Sequence, residues 1–198
     1  MGSEQVLIGA VILVSLTSLY ILISRDWRLS IAALALQYIG IFLLVNISWP
    51  LEMAVAKMVA GWMVGAILGI AMSSAPEAWG EKEVSLPFGS WFRFIAAGIL
   101  ALTIISLVLR SETWLTTISA PARWGSFILI GMGLLQLSLA SQPLRVTIGL
   151  LTTLSGFEII YAAVESSTLV TGLLAGVNLG LALVGAYLIL APAMEAAE

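Results

Sequence analysis

AVAKMVAGWMVGAILGIAM, residues 54–72, carries a single charge, Lys57, in an otherwise apolar run. At about 1.5 Å per residue such a run spans roughly 30 Å, the hydrocarbon thickness of a bilayer. A lysine held there costs roughly 3 kcal/mol at the bilayer centre by insertion scales. The stretch therefore predicts a membrane-crossing helix, and its lysine demands a reason.

The rest of the chain agrees with that reading. Of its 198 residues 61% are hydrophobic and 10% charged, where a soluble domain carries about 25% charge. Mean hydropathy is +1.10. Seven spans are predicted: 5–24, 29–47, 50–72, 92–110, 123–141, 145–164 and 168–190. The breaks are SRDWR (24–28), Trp49 with Pro50, the long polar loop 73–90, the loop 110–123, and Ser141–Gln142–Pro143. No segment offers a soluble domain. The fold class is all-α, one polytopic transmembrane domain over 1–198, with four helices in 1–110 and three in 123–190. The opening MGSEQ has no basic n-region, so the first span is expected to be retained.

Orientation follows from Lys and Arg in the short loops. Odd-numbered loops hold Arg25, Arg28, Lys82, Arg93 and Arg145; even-numbered loops hold Arg110 and Arg123. That bias expects the N-terminus outside and the C-terminus in the cytoplasm. The expected setting is a bacterial or archaeal cytoplasmic membrane, or another energy-transducing membrane.

Two ionisable residues lie deep, Lys57 in span three and Glu158 in span six. Counted from the outer ends of their spans, both sit roughly 9–10 Å down. Opposite charges at one level can pair, which makes both tolerable. The plain alternatives are a snorkelling Lys57 and a protonated Glu158 bonded to a neighbouring helix. Glu165, seven residues after Glu158, falls on the same helical face and suggests a carboxylate ladder to the outer surface. Ser155 continues that face inward, and Asn178 in span seven offers a neutral relay. Gln37 and Gln136 are polar at comparable depth.

Gly61, Gly65 and Gly69, and again Gly172, Gly176 and Gly180, repeat every four residues. Glycine lets helices approach closely, so both series are expected to be packing seams. Trp27, Trp49, Trp79, Trp91, Trp114 and Trp124 fall near span ends and suggest an interfacial belt. Trp62 is deeper and suggests packing.

The chain has no Cys and no His. Cys-ligated clusters, His-ligated haem and ordinary zinc sites are therefore excluded. No P-loop or GxSxG pattern is present. No cofactor, no metal and no catalytic residue is expected, and the net charge of −3 suggests no nucleic-acid partner.

Two longer stretches carry a resemblance. IGLLTTLSGFEIIYAA (148–163) followed by STLVTGLLAGVNLGLALVGAYLI (167–189) resembles the three-helix subunit K of respiratory complex I. The match places Glu158 of GFEII at the family's proton-path glutamate. The family's second glutamate has no counterpart here, Asn178 being the nearest polar residue. LTSLYILISRDWRLSIAALALQYIGIFLLV (16–45) is similar to the start of component E of hydrogenase-4. That component carries a mid-membrane lysine in its next helix, and Lys57 of AVAKMVAGWM stands there. Its acidic position in an I-G-F-x-x-M-E-N-G-like stretch is Leu154 here. An aspartate in its last helix corresponds to Asn178.

The resemblance implies a membrane subunit of a complex-I-related assembly, of hydrogenase-4, NADH dehydrogenase or Mrp-antiporter type. Electron transport would sit on other subunits, with membrane subunits and lipid as partners. Lys57, Glu158, Asn178 and Glu165 would form a proton or cation path. An ammonium beside Glu158 favours its ionised form, and moving it away favours proton uptake. Two other readings stay open: a structural subunit that seals a larger complex, and a small stand-alone transporter. A retinal protein is disfavoured, since span seven has no lysine.

Overall fold

The computed structural model describes residues 2–24, 26–75 and 89–195. Seven α-helices account for nearly all of them: α1 Gly2–Ile23, α2 Trp27–Val45, α3 Leu51–Ser74, α4 Gly89–Ser111, α5 Ala120–Leu139, α6 Pro143–Ala162 and α7 Thr168–Glu195. All seven are long and apolar enough to cross a membrane, and no strand occurs among the described residues. The protein is a polytopic all-α membrane protein. Arg25, Trp79, Lys82 and most of the polar loop 73–90 lie outside the described residues.

Several helix ends differ from the expected ones for local reasons. α5 and α6 start earlier, at Ala120 and Pro143, because each takes a proline into its first turn, where the missing N–H has no helical partner to lose. α7 runs past its expected end at 190, through Pro192 to Glu195. α2 is started by Asp26, whose carboxylate accepts the Arg28 backbone N–H at 2.9 Å, a standard N-cap. Hydroxyls inside the spans are satisfied locally: Ser15, Thr17, Thr153 and Thr171 each donate to a carbonyl one turn back. Lipid offers no other partner.

The bundle is built on two close seams. α5 and α6 form the first. A Cβ at Gly133 would overlap Thr153, and one at Gly156 would overlap Ile130 and the Ser126 carbonyl. The second joins α3 to α7 and α2. α1 lies between α2 and α5, and α4 packs on the outside against α5 and α1. Two ends of the bundle can be distinguished. At one, here the Arg145 end, Arg145 and Arg93 donate to carbonyls at the C-terminal end of α1, that of Ser24 just past the helix at 2.8 Å and that of Leu22 at 3.2 Å. At the other, the Trp49 end, Trp49 is buried and donates to the Glu165 carbonyl at 2.8 Å.

The glycine expectation needs correction. Gly61 is a close-approach site: a Cβ there would overlap the Tyr38 ring. Gly65 would meet only Ile31, at 3.7 Å. Gly69, Gly172, Gly176 and Gly180 have nothing within 4 Å of an added Cβ, and Gly172 and Gly176 are exposed. The α7 series therefore makes no seam among the described residues, because α7 turns its other face, with Asn178, toward α3 and α6. The tryptophans need correction too. Trp49 is a buried tie between loops and no belt residue. Trp62 is half exposed, its indole N–H reaching the Ala35 carbonyl at 3.3 Å.

Candidate proton site

Lys57 enters from α3, in the second turn after Pro50. Glu158 enters from α6, one turn before that helix ends. The two helices start from opposite ends of the bundle, so these counts bring them to one level. They meet: Lys57 Nζ forms an ion pair with Glu158 Oε2. Their side chains are 3% and 0% exposed, so Lys57 points into protein and does not snorkel.

The second carboxylate oxygen is also held. Asn178 Nδ2 donates to Glu158 Oε1 at 2.8 Å and to the Leu174 carbonyl at 2.8 Å. Both partners are acceptors, which fixes the orientation of the amide. Its Oδ1 then accepts the Tyr38 hydroxyl at 3.3 Å. The Tyr38 ring lies beneath the ammonium, with Lys57 Nζ 5.2 Å from its centroid, within cation–π range. Gly61 lies one turn along α3 from Lys57, and the absent side chain is what admits that ring. Four helices thus contribute one buried group each.

A second polar cluster lies deeper toward the Arg145 end. Gln37 Nε2 donates to Ser18 Oγ at 2.6 Å, and Thr152 Oγ1 donates to Gln37 Oε1 at 3.3 Å. Gln136 Nε2 donates to the Ser18 carbonyl at 3.2 Å. All four side chains are buried. Neighbouring residues of α2, Gln37 and Tyr38, face the two clusters separately. Ser155 sits between them on α6, buried, with its hydroxyl against Tyr38.

Of the expected path residues, the structure brings together Lys57, Glu158 and Asn178. Glu165 does not join them. α6 ends at Ala162, so Glu165 stands in the following loop, exposed, accepting the Ser166 N–H at 3.1 Å. The shared helical face fails because the helix stops first. Tyr38, Ser18 and Thr152 were not singled out by the sequence. For Tyr38 the signal was present: an aromatic hydroxyl at mid-span, far from either interfacial belt. No group of acidic residues suited to a metal occurs among the described residues.

No protein-family model, no curated protein and no solved structure matches this chain. The functional reading therefore rests on the chemistry of this site.

Proposed function

We propose that the chain is the proton-handling membrane subunit of a larger ion-translocating assembly related to complex I. The relation to complex I rests on the resemblance of 16–45 and 148–189, and one observation carries the proton-handling role: a lysine–glutamate pair fully enclosed in an apolar bundle, with both carboxylate oxygens held by donors. A buried ion pair is a poor source of stability, since desolvation offsets most of its attraction. Intramembrane charges of this kind mark ion pathways. A proton fits the site better than a metal cation. A metal ion needs several free oxygens, and here the ammonium and the Asn178 amide occupy the carboxylate.

The chemistry of the pair is a two-state one. With Lys57 against it, Glu158 is ion-paired. When the ammonium withdraws, the acid form gains, and Asn178 and Tyr38 can turn their dipoles to suit. A conformational change elsewhere in an assembly, moving α3 against α6, would thereby load or release one proton. The redox or gradient chemistry that drives such a change would belong to partner subunits.

The experiment is purification of the tagged chain from its native membrane in mild detergent. Co-purifying membrane and redox subunits, with proton movement into reconstituted vesicles that fails in Glu158→Gln, are the expected result. A chain that purifies alone, in vesicles whose proton movement ignores Glu158→Gln, would overturn the proposal.

A further inference from the structure

Glu158 lies nearer the Trp49 end, so the short way out would be through that end. The packing there argues otherwise. The next turn of α3 outward from Lys57 presents Met53 and Ala54, and the next turn of α6 outward from Glu158 presents Ala162. All three are buried, as is Trp49 beyond them. None of these continues the site outward, and on α7 the buried Thr171, two turns outward from Asn178, spends its hydroxyl on the Ser167 carbonyl at 3.1 Å.

In the opposite direction the polar groups continue. Ser155 stands next to Tyr38, and Thr152 is one turn further along α6, a step of about 4.5 Å that one water between hydroxyls can bridge. Thr152 is tied through Gln37 to Ser18, and Ser18 to Gln136. Gln136 lines a cavity of about 20 Å³ at the Arg145 end, together with Ser30, Arg93 and Arg145. That volume has room for about one water. The two guanidiniums face the C-terminal carbonyls of α1, the negative end of that helix dipole. The cavity is thus not a bare positive barrier. One buried atom along this line, Gln136 Oε1, makes no hydrogen bond among the described residues, and the Ser155 hydroxyl stands against Tyr38.

From this geometry we infer that Glu158 exchanges its proton with one side of the membrane only, through a route of hydroxyls and water from the Gln136 cavity past Ser18, Thr152 and Ser155. Gln37 is a positioning residue that holds the Ser18 and Thr152 hydroxyls in line. The inference rests on Glu158 being the proton-carrying group. The groups that face its carboxylate are Lys57 from α3, Asn178 from α7 and Tyr38 from α2. Access from the remote side is the useful property: a conformational change could later open the sealed Trp49 end and release the proton across the membrane.

The test is infrared spectroscopy of the full-length chain in sealed, oriented vesicles, following the carboxylic C=O band that Glu158→Gln removes. Acidifying the Arg145 side should raise the band promptly. Acidifying the Trp49 side alone should leave it unchanged until the vesicles equilibrate. Thr152→Val and Gln37→Met should slow the response to the Arg145 side by about 10²-fold, the low end of what a positioned proton-transfer group contributes, while reaching the same final amplitude. A response that follows the Trp49 side, or follows both sides equally, overturns the route using the unaltered chain alone. Variants that respond as fast as the unaltered chain overturn the named residues. A band that never responds to pH, even at equilibrium, removes Glu158 as the proton carrier, and the route falls with it.

Discussion

At the residue scale, Lys57 and Glu158 explain one another. Each alone would be a costly solitary charge; together, with Asn178 and Tyr38 around them, every strong polar group of the site has a partner. Glu158→Gln strands the ammonium, and Lys57→Met strands the carboxylate. Each should lower stability in detergent by about 3–5 kcal/mol, the usual cost of breaking a buried pair. The double variant should be less damaged than the sum, with a coupling of about 0.5–3 kcal/mol in a double-mutant cycle. Strict additivity in denaturant titrations followed by circular dichroism would show that the pair does not interact. Gly61→Ala is the second case. A methyl group there enters the Tyr38 ring, so a loss of about 1–3 kcal/mol is expected from overpacking. Unchanged stability, with the Tyr38 environment unchanged by fluorescence, would contradict the described contact. The shared depth of Lys57 and Glu158 was legible in the sequence because helical rise is fixed, so counting from span ends gives depth; whether they meet was not. Rotation about the helix axis was not legible. Nothing in ALQYIG says that Gln37 and Tyr38 face different helices.

At the element scale, the helices differ in how much protein surrounds them. α4 and α7 are mostly exposed along their length, and α6 is the most enclosed. Glycine spacing alone misjudged this. The regular series on α7 has no partner among the described residues, whereas the irregular Gly133, Gly149 and Gly156 make the α5–α6 seam. A glycine permits close approach but does not name the helix that approaches, and that part was beyond the sequence. The contrast gives a prediction. Gly133→Leu should unfold or severely destabilise the isolated chain, while Gly176→Leu should change its stability by no more than about 0.5 kcal/mol, as surface substitutions usually do. Thermal melts of the two variants in detergent check this. Equal damage from both would mean that α7 is seated differently. The loss of Glu165 from the expected ladder is also an element-scale event: the helix ended three residues too soon.

At the scale of the whole molecule, seven helices long and apolar enough to cross a membrane predict termini on opposite sides of the bilayer. The absence of native cysteine makes this simple to check. Glu4→Cys and Met194→Cys, introduced singly, should react with an impermeant thiol reagent from opposite faces of sealed membranes, Glu4→Cys from outside if the Lys and Arg bias holds. Labelling from one face would refute an odd number of crossings. The bundle as a whole is an apolar scaffold around two polar clusters, one near each half of the membrane, and the central claim proposed for it is that Glu158 exchanges a proton under the control of Lys57. The most direct measurement is an equilibrium infrared titration of the purified chain with isotope-labelled glutamate. We expect a buried carboxylic C=O band that comes and goes reversibly with pH, is absent from Glu158→Gln, and has a displaced midpoint in Lys57→Met. A Glu158 that never titrates in the folded protein, or one whose midpoint ignores the loss of Lys57, would contradict that central claim.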